Sequence, residues 1–162
     1  MWYMYHVVHN EKVICETAWS AAGPAAVYRL MRDGSTWPVW SPIGSFRLER
    51  EGEGGGESVG AIRVFKTGRA TSVEELVELR PDRRLSYILL SGLPIRDYRS
   101  DIDLEPRDGG TAIQWRSTFR PKLPGTGWLI RRALGTFIKR CVDGLAAHAV
   151  SVAQPDTAEA KG

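Results

Sequence analysis

The chain has 162 residues, 43% hydrophobic and 25% charged, with a formal net charge of +3 and a pI near 9.0. Such a chain suits one domain that buries about 70% of its unfolded surface. It holds no run of about 18 apolar residues, so no transmembrane helix is expected, and no RNP motif, helix-turn-helix pair or dense Lys/Arg tract, so no nucleic-acid partner is expected.

Cys15 and Cys141 lie far apart and match no metal or redox spacing. They read as free core thiols in a reducing compartment. The start, MWYMYHVVHNEK, has no basic region before its apolar run and makes a poor signal peptide. The reading is a cytoplasmic protein.

Residues 11–19 alternate, with Val13, Cys15, Thr17 and Trp19 on one face of a half-buried strand. Gly23-Pro24 opens a short helix over 25–32 with Val27, Leu30 and Met31 inward, and Asp33-Gly34 stops it. The run Trp37-Pro38-Val39-Trp40-Ser41-Pro42 forbids a regular helix or a central strand. It reads as a hydrophobic plug closing one end of the core. Residues 43–51 read as a strand, and 53–57 as a flexible hairpin loop. Gly54, Gly56 and Gly60 resemble a degenerate dinucleotide fingerprint, but they join two strands, and no helix follows to aim its dipole at phosphate. The run 60–67 nearly matches a phosphate loop, but Phe65 stands where glycine is required.

Further strands are expected at 60–66, 70–79, 84–91, 96–105 and 111–120. Leu93-Pro94 as a two-residue loop sets Leu89 opposite Tyr98, Tyr87 opposite Ser100 and Leu85 opposite Ile102. Asp108-Gly109 as a hairpin turn sets Tyr98 opposite Phe119, Ser100 opposite Ser117, Ile102 opposite Trp115 and Leu104 opposite Ile113. Both turns give one face of large residues, and the other face carries Arg99, Asp101, Asp103, Glu105, Gln114 and Arg116. In 70–79 the odd-numbered set, Val73, Glu75, Val77 and Leu79, is taken as inward. A three-residue loop at Thr67-Gly68-Arg69 then brings Arg63 and Phe65 inward as neighbours of Glu75. A two-residue loop selects Ile62 and Val64 instead.

Pro121, Pro124 and Gly125 end the sheet. Residues 126–150 carry Ile130, Leu134, Phe137, Ile138, Cys141 and Leu145 on one face of a 3.6-residue period, a helix roughly 37 Å long. Arg131, Arg132, Lys139 and Arg140 stand against Asp143 on it. Residues 1–150 read as one domain and 151–162 as a disordered tail.

This order of elements resembles the helix-grip fold of the START-like superfamily, which includes polyketide cyclases/dehydratases, lipid-transfer domains and birch pollen allergens. The Trp37–Pro42 run is similar to the family's turn before its second strand. Residues 79–87 are similar to its Pro-containing turn, and Trp115 with Phe119, Pro-Gly and the helix to its last strand and lid. The resemblance implies an α+β fold of about seven curved antiparallel strands around the C-terminal helix, with two short helices after the first strand. It also implies a cavity between sheet and helix. The expected lining is Trp37, Trp40, Phe65, Tyr87, Leu89, Tyr98, Trp115, Phe119, Leu134, Phe137 and Ile138, unless those residues simply fill a core.

Catalytic signals are thin. His6, His9 and His148 have no triad frame, and no metal motif or cofactor site is found. Acid or base candidates are Glu75, Tyr87, Tyr98 and Arg63. The leading expectation is a binder or carrier of a lipid-like or aromatic small molecule, not catalytic. A polyketide cyclase/dehydratase-like enzyme and a partner-binding accessory module are the alternatives. The expected partner is that hydrophobic ligand, with no stable membrane insertion, at most peripheral membrane contact, and a monomer or homodimer.

Overall fold

The computed structural model describes residues 10–153. Strand β1 (Lys12–Ser20) leads through α1 (Pro24–Arg32) and α2 (Trp37–Trp40) to strands β2 (Ser45–Arg50), β3 (Ile62–Thr67), β4 (Ala70–Arg80), β5 (Arg84–Ser91), β6 (Ile95–Arg107) and β7 (Gly110–Pro121), and then to helix α3 (Gly127–Ala153). One antiparallel sheet has the order β1-β7-β6-β5-β4-β3-β2. It curls around α3 and buries the two short helices beside it. The seven strands and the long helix are as the sequence patterning requires. Helix α3 runs three residues past the expected end, so 151–153 are helical. The expectation of a tail over 154–162, and residues His6 and His9, lie outside the described residues.

Pro24 starts α1 where its missing N–H costs nothing, and Val27, Tyr28, Leu30 and Met31 form its buried face. The Asp33 carboxylate accepts the Ser35 N–H at 3.0 Å and ends the helix. Contrary to the expectation that its prolines forbid a regular helix, the tryptophan run makes one helical turn, because Pro38 falls at its start where its missing N–H is tolerated. Trp37 is wedged between Trp40 and Phe65, each with ring centroids 4.9 Å away, and meets Trp115 edge-on at 5.6 Å.

The Asp108-Gly109 hairpin forms as expected. Both turn residues have positive φ, the conformation this turn needs. It sets Ser100 opposite Ser117, Ile102 opposite Trp115 and Leu104 opposite Ile113. Leu85–Ile102 and Tyr87–Ser100 pair as expected too. The pairs Leu89–Tyr98 and Tyr98–Phe119 do not form. Asp97 takes φ 52°, and the β6–β7 register shifts between Arg96 and Arg99. The loop after β5 has three residues, Gly92–Pro94, rather than two. Beyond Ile88 and Arg99, β5 and β6 part. Leu89 and Ser91 stay paired to β4, while Ile95 and Arg96 stay paired to β7.

Two inward faces are the reverse of those expected. In β1, Ile14 and Ser20 are buried, while Cys15 and Trp19 are exposed. Cys15 is therefore a surface thiol, and only Cys141 is a core one. In β4, the inward residues are Glu74 and Leu76, not Glu75. A bulge explains the misreading. Leu76 opposes Tyr87 and Leu79 opposes Leu85, so three steps on β4 match two on β5. The alternation of Val73, Val77 and Leu79 crosses that phase change and points to the wrong face. Glu75 instead sits on the outer face and accepts from Arg50 Nη2 at 2.9 Å.

A cavity at the open end of the grip

A cavity of about 340 Å³ lies where β5 and β6 part, under the first half of α3. The β3–β4 turn, the 92–94 loop and Ile130, Leu134, Phe137 and Ile138 enclose it. Gly92 makes this closure possible. It takes φ 118°, and a Cβ there would meet the Thr71 carbonyl oxygen at 2.0 Å.

The expected lining divides in two. Tyr87, Leu89, Tyr98, Leu134, Phe137 and Ile138 border the cavity. Trp37, Trp40, Phe65, Trp115 and Phe119 do not. They are buried in the packed core. The tryptophan turn fills space that a longer cavity would occupy.

Three buried polar side chains border the cavity, besides the more exposed Thr67, Thr71 and Ser72. Tyr87 Oη and Tyr98 Oη lie 3.5 Å apart. From Tyr98 a chain of hydrogen bonds runs to Ser117 Oγ (3.1 Å), Ser100 Oγ (2.6 Å) and the Trp115 indole N–H (2.9 Å). Burial raises the pKa of both phenols, so they remain neutral donors. The third is Glu74. It is 8% exposed, and its buried Oε2 has no hydrogen-bond partner among the described residues. Burial pushes its carboxyl up to about 7, against the pull of the nearby Arg63 charge.

Arg63 faces inward directly opposite Glu74. The β3–β4 turn has two residues, Gly68-Arg69, with Thr67 paired to Ala70. A two-residue turn was expected to turn Arg63 outward, but that rested on the reversed face of β4. Arg63 is fully buried yet does not border the cavity. Its Nη1 donates to Glu57 Oε2 and to the Met31 carbonyl, both at 3.2 Å. Its guanidinium lies 4.7 Å from the Trp37 ring centroid. The Glu57 carboxylate also accepts the Gly34 N–H at 3.0 Å. The expected Arg63–Glu75 pair is thus an Arg63–Glu57 pair that ties β3 to the end of α1. Glu57 comes from the glycine loop, where no periodicity flags it.

His148 stands on α3, with Ser151 Oγ 3.3 Å from its Nδ1 and no acidic partner among the described residues. Among those residues no group of three His, Cys, Asp or Glu side chains could hold a metal ion. No described helix is long and apolar enough to cross a membrane.

The family model described as polyketide cyclase / dehydrase and lipid transport matches residues 14–150. The chain belongs to this family. The fold agrees with several solved structures. A START superfamily protein from Mycobacterium smegmatis superposes with TM-score 0.74 at 14% identity, covering 86% of this chain and 98% of the other. Ara h 8.0201 gives 0.70 at 15% identity, over 87% and 99%. TTHA0849 from Thermus thermophilus gives 0.68 at 19% identity, over 88% and 100%. No curated protein shows significant sequence similarity to the chain. At these identities the structural likeness establishes the helix-grip fold and leaves the ligand to be argued from the cavity.

Proposed function

We propose that this family member binds and carries a hydrophobic small molecule, lipid-like or aromatic, between the sheet and α3. One polar group of that molecule is held by Glu74 and the neighbouring tyrosine hydroxyls. The observation that carries the reading is the unpartnered Glu74 Oε2 in a cavity with mostly apolar walls. An orphaned buried carboxyl oxygen costs about 1–3 kcal/mol or more, and a ligand hydroxyl or carbonyl would relieve that cost. The cavity volume falls within the roughly 300–1,000 Å³ of small-molecule sites. A ligand of about 20 heavy atoms at about −0.3 kcal/mol per atom would bind at tens of micromolar.

Native mass spectrometry of freshly purified protein tests this directly, followed by titration with apolar compounds differing only in one hydroxyl or carbonyl. The expected result is preference for the oxygenated member of each pair, reduced by Glu74→Leu. The reading fails if no compound of a broad panel binds, or if the pairs bind equally.

The titration of Glu74 near neutral pH favours a second reading, a cyclase- or dehydratase-like activity. A carboxyl near pH 7 beside two phenols is suited to proton transfer at an enolisable carbonyl. Glu74→Gln separates the two readings. A carrier keeps binding with Gln as a hydrogen-bonding replacement, whereas an enzyme keeps binding and loses turnover of a polyketide substrate.

A further inference from the structure

The segment joining β7 to α3 and the first turn of α3 carry large apolar side chains in water. Leu123, Trp128 and Leu129 are 62%, 64% and 55% exposed. Such residues are ordinary when they occur singly, but these three fall within seven positions of one another. The Lys122 N–H donates to the Pro94 carbonyl at 3.1 Å, which ties this segment to the 92–94 loop at the cavity mouth. Leu93, on that loop, is half-buried at the rim.

Cations flank the apolar group. Lys122 precedes it, Arg131 and Arg132 follow one helical turn after Gly127, and Arg96 lies on the strand running from the same loop. All four are exposed, and among the described residues none forms an ion pair. The outer groove of α3 carries Arg131, Arg132, Lys139 and Arg140 beside Glu16, with Lys139 paired to Asp143 at 2.9 Å. On the outer sheet face Arg84 pairs with Asp103 and Arg99 with Asp101, while Arg116 and Arg120 form no ion pair among the described residues.

We propose that this end of the molecule docks on an anionic lipid bilayer, with Trp128, Leu129 and Leu123 at the headgroup–acyl boundary and Lys122, Arg131 and Arg132 against lipid phosphates. Tryptophan and leucine beside unpaired Arg and Lys is the composition of interfacial anchors. Leu123 and Leu129 project from a Pro-Gly turn and a helix start, and Trp128 borders the basic outer groove of α3, a composition that suits a lipid surface better than a folded partner. The position also matters. An apolar cargo leaving the cavity would otherwise expose its surface to water at about 25 cal/mol per Å². A mouth seated on lipid gives it a dry path. This last point rests on the carrier reading; the docking itself does not.

The test is flotation of the full chain with vesicles of phosphatidylcholine alone and of phosphatidylcholine mixed with phosphatidylglycerol, with no cargo added. The expected result is recovery with the anionic vesicles, a blue shift of tryptophan emission, and release by salt. Trp128→Ser with Leu129→Ser should lower the partition coefficient roughly tenfold or more without changing the melting temperature, since both side chains are exposed. Leu123→Ser, on the turn rather than the helix, should weaken it independently. Arg131→Gln with Arg132→Gln should remove the preference for anionic lipid. Failure to float with either vesicle overturns the proposal, as does flotation that all these variants leave unchanged. Retention on an acidic protein or nucleic acid without vesicle binding overturns it in favour of a macromolecular partner. Because no ligand is present, these outcomes are independent of whether the cavity binds one.

Discussion

From Ile138 onward, α3 buries Ile138, Cys141, Val142, Leu145 and Ala149 against the sheet and the short helices. Before it, Ile130, Leu134 and Phe137 are only half-buried and face the cavity. The apolar stripe is the same along both halves. What differs is the surface opposite. The C-terminal half meets a closed sheet plugged by Trp37, Trp40 and Trp115, whereas the N-terminal half lies over the gap between β5 and β6. One end of the helix makes the fold, and the other leaves room for a guest.

The sharpest way to break this comparison is to truncate both halves. Leu145→Ala should cost about 2–5 kcal/mol in urea unfolding, the loss for a fully buried leucine. Phe137→Ala should cost under about 1.5 kcal/mol, because much of its surroundings is already cavity. Its effect should appear instead as weaker ligand binding. Equal costs would mean that the cavity is closed in solution.

Next in size is Gly144→Ala. A Cβ at Gly144 would meet the Trp40 carbonyl oxygen at 1.7 Å. Backbone cannot yield as a side chain does, so α2 must move away from α3. About 3 kcal/mol of destabilisation is expected, measurable as a lowered denaturant midpoint.

The α3 stripe and the Asp108-Gly109 register were legible in the sequence because each rests on a local period or turn. The location of the void was not. It depends on the bulge at Asp97 and the parting of two strands, which hydrophobic alternation does not record. Glu74 was missed for a related reason. Glu74 and Glu75 are adjacent, and the bulge before Glu78 reverses the face that Val77 and Leu79 advertise. Trp37 and Phe65 were recognised as large inward residues, but whether an inward residue borders a guest or another core residue is set by packing.

Glu74 offers a prediction in pH. Its carboxyl shifts from an ordinary 4.5 to about 7 in the folded chain. Below pH 4.5 both folded and unfolded states hold the proton, and burial costs nothing by this route. Between pH 4.5 and 7 the unfolded state ionises while the folded state resists, so this contribution to stability falls as pH rises. The whole change corresponds to about 3 kcal/mol. Glu74→Gln should therefore be more stable than the wild type at about pH 8, by up to that amount, and nearly equal to it near pH 4. A variant less stable at the higher pH would show that the ionised carboxylate has a partner in the folded chain.

The smallest effect comes from another glycine of the same helix. Gly135 lies about two and a half turns before Gly144, on the half that covers the cavity. The nearest atoms to a Cβ there are Glu16 Oε1 and Ile14 Cγ2, both at 3.9 Å, an ordinary contact distance. Alanine would thus enter without displacing anything. It also removes the entropic penalty of glycine in a helix interior, about 0.8–1.0 kcal/mol. Gly135→Ala should stabilise the chain by about 0.5–1 kcal/mol, a rise in melting temperature of roughly 1–4 °C for a domain of this size. If Gly135→Ala destabilised the protein instead, the first half of α3 would have to lie closer to β1 than these distances allow. The contrast between a packed end and an open end would then fail at the position where it demands least.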